Sequence, residues 1–136
     1  MNRLFVLITL TMNSLPLLAE QTPIEAILAI GPEGKGNTKA SEAWEKLTTH
    51  SDQKTLMMLF DAMNDAGPVA SNWLRSAAEV VFKNLEEKQI ASSNVLGEYF
   101  LNEKNPPKAR RFAFELIKRN SPEAANEIIP GLLNDP

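Results

Sequence analysis

Six cations fall within one short stretch of this chain: Lys104, Lys108, Arg110, Arg111, Lys118 and Arg119, against only Glu103 and Glu115. They leave +4 over residues 103–119 of a chain whose formal net charge is −3. Cations grouped in this way can present a surface to an acidic protein or another polyanion. They can equally be consumed by the fold, with Glu115 pairing with Arg119 at i+4 and Lys118 and Arg119 complementing a helix C-terminus. The second use is the expectation, because charge runs on helices are usually solvated faces.

Other residue types that could do chemistry lack the company it needs. His50 is the single histidine, and only Asp52 is a nearby ligand type in sequence. A zinc site needs three or four converging ligands, so the expected role of His50 is at a helix C-terminus, where the dipole favours a cation. Glu42, Glu45, Asp61, Asp65, Glu86 and Glu87 are plentiful carboxylates, yet no pair is marked for the split pKa values of acid–base catalysis. Gly31-Pro32-Glu33-Gly34-Lys35-Gly36-Asn37-Thr38 has the glycines of a phosphate loop. It lacks the Gly-Lys-Ser/Thr ending and a preceding strand, so a mobile linker is expected there. Cysteine is absent, which removes thiolate chemistry, thiolate metal sites and a disulfide framework. No enzyme activity and no cofactor are expected.

The elements that would carry these residues are all helical. Thr22-Pro23-Ile24-Glu25 is a helix start with a hydroxyl cap, proline at the first position and glutamate at the third. Ala40, Ala43, Trp44 and Leu47 mark a second helix. Leu56, Leu59, Phe60 and Met63 mark a third, capped by Ser51 and widened by Met57 and Met58. A fourth is expected from Pro68 to Glu87 with Ala70, Trp73, Leu74, Ala77, Val80 and Val81 inward. A fifth follows Ser92 or Ser93 with Val95, Leu96, Tyr99 and Phe100, and a sixth opens at Pro106-Pro107 with Ala109, Phe112, Ala113, Leu116 and Ile117. The seventh opens at Ser121-Pro122-Glu123 and carries Ala125, Ile128, Ile129, Leu132 and Leu133. Pro130 removes an amide bond to the Asn126 carbonyl, so a bend is expected near its middle. No segment alternates with period two for long enough to form a strand.

Asn64-Asp65-Ala66-Gly67-Pro68, Asn102-Glu103-Lys104-Asn105-Pro106-Pro107 and Asn134-Asp135-Pro136 are three polar breaks ending in proline. Helix, break, helix at a spacing of about 40 residues is the phrasing of helical-pair repeats. A shift of 39 lays Pro68 on Pro107, Ala70 on Ala109, Trp73 on Phe112, Phe60 on Tyr99 and Leu56 on Val95. The final unit shows a first helix only, so an incomplete last repeat is expected, with self-association through that helix as the expected consequence.

The first nineteen residues read as targeting rather than fold. Asn2-Arg3 precede an apolar run from Leu4 to Leu10, and a more polar stretch leads to small Ala19. The run is well short of the roughly 20 residues that span a bilayer. Glu20 stands where a lipoprotein would need cysteine. Cleavage between Ala19 and Glu20 is expected, releasing an exported product, periplasmic or secreted, with no membrane attachment. Loss of Arg3 makes that product one unit more negative, which argues against dedicated nucleic-acid binding.

Glu127-Ile128-Ile129-Pro130-Gly131-Leu132-Leu133-Asn134-Asp135-Pro136 resembles the first helix of a HEAT-type repeat, with its internal proline and terminal Asp-Pro. Asn105-Pro106-Pro107-Lys108-Ala109-Arg110-Arg111-Phe112-Ala113 resembles the turn and second helix of such a repeat. The resemblance covers roughly Ala40 to Pro136 and is of the exported bacterial kind. It implies an all-α superhelix of about seven helices and places Arg110 where the family arginine bonds turn carboxylates between units. Ser71 stands at the corresponding place of the earlier unit, which departs from the pattern. The expected organisation is a signal peptide over 1–19, a short helix and glycine-rich loop over 20–38, and a HEAT-like domain over 39–136. The implied function is a non-enzymatic scaffold that binds a protein partner, with Lys108, Arg110, Arg111, Lys118 and Arg119 as candidate partner-binding or inter-repeat residues. The alternatives are a polyanion-binding module using the basic helix 107–119, or a helical accessory domain of a longer exported protein.

Overall fold

The structure, a computed structural model, describes residues 21–90 and 93–132, the last two by their backbone alone. The expected signal segment with its Ala19/Glu20 cut, Ser92, Leu133 and the break Asn134-Asp135-Pro136 lie outside the described residues. Every element among the described residues is helical. The chain forms α1 (Pro23–Leu28), α2 (Asn37–Thr49), α3 (Gln53–Ala62), α4 (Pro68–Glu87), α5 (Ser93–Leu101), α6 (Pro107–Asn120) and α7 (Pro122–Ile128).

Local chemistry sets most of the boundaries. At α1 the Thr22 hydroxyl accepts from the Glu25 amide at 3.2 Å, and the Glu25 carboxylate accepts from the Thr22 amide at 2.8 Å. Two amides that the first turn would leave open are thereby satisfied. Proline occupies the first helical position of α1, α4, α6 and α7, where its missing N–H costs no bond. The cap of α3 is Asp52 rather than Ser51: its backbone is extended and its carboxylate accepts from the Thr55 amide at 2.6 Å. Ser51 is buried instead, donating to the Thr48 carbonyl at 2.6 Å and accepting from Asn84 Nδ2 at 2.9 Å. It ties the α2–α3 turn to α4.

The glycine-rich connection is a closed turn. The Gly31 amide donates to the Lys35 carbonyl at 2.9 Å, and Pro32–Gly34 turn tightly between them with Glu33 at φ +55°. Gly36 leads into α2 at φ +86°, the left-handed region that favours glycine. A side chain there would be strained by its backbone, although a Cβ would meet the Ala29 carbonyl oxygen at an ordinary contact distance of 3.5 Å.

Consecutive helices pack as pairs, α1 with α2, α3 with α4 and α5 with α6, and the short links between them return each chain antiparallel. α1 is part of the common core, for Ala26 and Ile27 are buried with residues of the later helices. Across the last two pairs, α4 and α6 run parallel. Arg75 and Glu79, one turn apart on α4, meet Glu115 and Arg119, one turn apart and in the same order on α6.

Buried sets recur between the pairs. Ala70, Leu74, Ala77 and Ala78 of α4 answer to Ala109, Ala113, Leu116 and Ile117 of α6 at an offset of 39 (70 to 109). Leu56, Leu59 and Phe60 of α3 answer to Leu96, Tyr99 and Phe100 of α5 at an offset of 40 (56 to 96). The single shift of 39 therefore holds for the second helices only. In the first helices Leu56 corresponds to Leu96, not Val95, because the later pair has one residue fewer between Phe100 and Ala109 than the earlier has between Phe60 and Ala70.

Three apolar residues sit farther out than their spacing suggests. Met58 is 44% exposed, and Trp73 and Val80 are half-buried. Ala78, Phe82 and Leu85 take the inner positions of α4, which packs against α2 as well as α3 and so turns a different arc inward. At Pro130 the α-helical bonding has already stopped at Ile128, and a 3-10 turn over Ile129–Leu132 continues the path. The missing amide is accommodated by tighter winding instead of by a bent α-helix.

Candidate functional site

α6 carries the cations because its apolar residues recur at 109, 112, 113, 116 and 117, which leaves the intervening positions to face outward. Lys108 donates from Nζ to the Asn64 carbonyl at 3.2 Å, reaching the α3–α4 connection. Arg110 Nε donates to the Phe100 carbonyl at 2.7 Å, and its guanidinium lies 5.6 Å from the Phe100 ring centre. That bond is made to the last turn of α5, the other helix of its own pair.

Within the helix Glu115 pairs at i+4 with Arg111, not with Arg119 as expected. Glu115 pairs with Arg75 of α4 and, at 3.4 Å, with Arg111, while Arg119 pairs with Glu79 of α4 at 2.9 Å. The geometry that decides this is tertiary: α4 lies alongside and offers opposite charges at the same two levels. Arg75 also stacks 4.4 Å above the centre of the buried Phe112 ring, a cation–π contact. Lys118 is exposed, with no partner among the described residues. Of the five cations singled out by sequence, four are thus engaged within the fold and one is not.

Three of the surface grooves among the described residues lie against α3, α4, α5 or α6. Met63, Ser71, Arg75, Lys108, Arg111 and Glu115 line a cavity of about 290 Å³ between the first turns of α4 and α6. On the opposite flank of α4, Trp44, Asn72, Trp73 and Ser76 line another of about 290 Å³. The third runs between α3 and α5 past Asp61, Glu98 and Tyr99. There the Tyr99 hydroxyl donates to Asp61 Oδ1 at 3.2 Å. Burial, with the adjacent Asp61 charge and hydrogen bond, raises the Tyr99 phenol far above its ordinary range.

No protein-family model, curated protein or solved structure matches this chain. Its geometry therefore stands on its own.

His50 takes the C-terminal position of α2, with Nδ1 at 3.1 Å from the Lys46 carbonyl. Asp52, the nearest ligand type in sequence, is directed to the Thr55 amide instead. Sequence reading overlooked Arg75, Glu79 and the tryptophan cavity. Arg75 and Glu79 were legible in principle as a sign-reversed echo of Glu115 and Arg119 at 40 residues, an offset one larger than the shift that aligns the prolines. The meeting of Trp44 with Trp73 leaves no such trace, since both occupy ordinary apolar positions of their helices.

Proposed function

We propose that this protein is an exported, non-enzymatic scaffold of HEAT-like stacked helical pairs that binds a protein partner along its exposed helix faces. The observation that carries the reading is the parallel register of α4 and α6, with Arg75–Glu115 and Arg119–Glu79 at successive levels over recurring buried sets. Neighbouring pairs that bury one another's apolar faces, with the same helix turned outward each time, form an extended surface rather than a pocket. The N-terminal signal pattern supports export, and no described helix is long and apolar enough to cross a membrane.

The test is photo-crosslinking in the source cell, with the photoreactive residue at Asn72 on the α4 face or at Glu98 on the α5 face. The scaffold reading expects a discrete protein adduct from one of these faces. Silence at both, in cells where the folded protein is abundant, overturns it.

A further inference from the structure

We infer that the outward face of α4 docks an acidic peptide segment by two points, an apolar side chain in the tryptophan cavity and a carboxylate at the basic cavity. The inference deepens the scaffold reading and rests on it. At about 100° per residue around a helix, Ser71 and Arg75 face α6, and Trp73 faces α2. Asn72 and Ser76 form the exposed crest between them. Both crest side chains are short, so a chain crossing α4 there meets a low ridge.

The two cavities differ in chemistry. Trp44 and Trp73 are half-buried rings on either side of a groove that offers apolar faces, with Asn72 and Ser76 at the rim. Val69, 52% exposed, lies one turn before Trp73 on the same side of α4. On the other flank Arg111 reaches Glu115 from Nε at 3.4 Å, with its side chain 84% exposed. A guanidinium has five N–H donors, so the outer ones remain for a second carboxylate. Lys108 spends one of three donors on the Asn64 carbonyl. Charge complementarity selects the occupant: Lys108, Arg75 and Arg111 against Glu115 leave a positive cavity on a net-negative chain. An acidic segment is drawn to that cavity in preference to the rest of a chain that is negative overall.

The spacing of the two anchors follows from size. A helix with side chains is about 10–12 Å across, and an extended chain advances about 3.3–3.6 Å per residue. The apolar and acidic residues of the partner therefore stand about three positions apart.

The chain's two tryptophans both line the first cavity, so its intrinsic fluorescence reports occupancy directly. The probes are capped, tryptophan-free peptides in which a leucine and a glutamate are separated by one to five glycine–serine positions, titrated into the intact protein. The expected result is a saturable change in tryptophan emission, tightest at a separation of about three. Binding should weaken at least about tenfold in Arg111→Glu and when the peptide glutamate is replaced by lysine. Lys118→Glu, on the same helix but outside the cavity lining, should leave it unchanged. Circular dichroism establishes that both variants fold, which the exposure of the two side chains favours. No saturable change, or equal affinity for glutamate and lysine peptides, overturns the proposal. So does an emission change that grows with protein concentration alone, which assigns the face to a second copy. Heparin binding that is lost in Arg111→Glu while the peptides stay silent also overturns it, in favour of a polyanion. Peptide binding that is untouched by Arg111→Glu and silent in tryptophan emission sinks this site yet leaves the scaffold reading intact.

Discussion

The two helix pairs α3–α4 and α5–α6 meet along two seams built on opposite principles. Where α3 faces the second pair the seam is aromatic: Phe60 lies 4.9 Å from the Tyr99 ring and 6.0 Å, edge-on, from Phe112. Phe60 and Phe112 are fully buried there. Where α4 faces α6 the seam is electrostatic, and its ion-paired side chains are between 34% and 57% exposed. The dry seam removes apolar area from water and supplies most of the adhesion between pairs. The wet seam contributes little to stability, since exposed ion pairs are worth about 0–1 kcal/mol.

What the wet seam supplies is register. Arg75 stands opposite Glu115, and the residues one turn either way on α6 are Arg111 and Arg119. A slip of one turn in either direction sets Arg75 against another arginine. A slip that moves Glu79 off Arg119 by one turn towards the N-terminus sets it against Glu115. Like charges so placed are unfavourable in each wrong register. Adhesion and alignment are thus divided between two surfaces of the same interface.

The largest expected effect breaks the dry seam. Phe60→Ala should cost about 3–5 kcal/mol in urea unfolding, because a buried ring leaves a cavity among Tyr99, Phe112 and their neighbours. A loss as small as that of an exposed substitution would mean that the pairs are not held together there.

Next in size is Tyr99→Phe, which keeps the ring and removes the hydrogen bond to Asp61, for about 1 kcal/mol. Its pH dependence is more telling. The folded chain holds the phenol well above the unfolded value of 10.0. The associated stability is complete below about pH 10 and is lost as pH rises further, because the unfolded chain then releases a proton that the folded chain retains. Tyr99 is the chain's single tyrosine, so its ultraviolet phenolate band follows the ionisation. The wild type should lose stability faster than Tyr99→Phe above that pH. Parallel curves for the two proteins would show the phenol to be ordinary.

The wet seam should answer more weakly. Arg75→Glu and Glu115→Arg singly should each destabilise by about 1 kcal/mol, and the double charge reversal should recover part of that loss through a coupling of about 0.5 kcal/mol. The coupling should shrink in high salt. A coupling that is absent at low salt would remove the register argument. Smallest of all, Lys118→Ala should change stability by less than about 0.5 kcal/mol, as expected of an exposed side chain with no partner among the described residues. A larger loss would place Lys118 in the seam beside Arg119.

Much of the helical layout is legible in the residues themselves. Pro68 and Glu87 bound α4 as the punctuation predicts, and the five apolar residues read from the spacing of α6 are its five buried ones. The capping box at Thr22 is equally local, since its two bonds span three residues. Two of the misses occur where neighbouring residues could do the same work. Ser51 and Asp52 are both fit to cap α3, and only the arrival of Asn84 from α4 draws the serine inward. For Glu115, Arg119 and Arg111 are both within helical reach. The approach of α4 adds Arg75 and takes Arg119 away to Glu79.

Sequence alone settled the order and approximate bounds of the helices, most of the apolar face of each, and the all-helical class of the described residues. Those properties follow from caps, prolines and a 3.6-residue period, all of which act over a few residues. Tertiary structure decided which charges meet, that Trp44 and Trp73 share one groove, and that the offset between pairs is 40 for the first helices and 39 for the second. A partner some forty residues away is chosen by the angle and register of packed helices, and no local pattern encodes that.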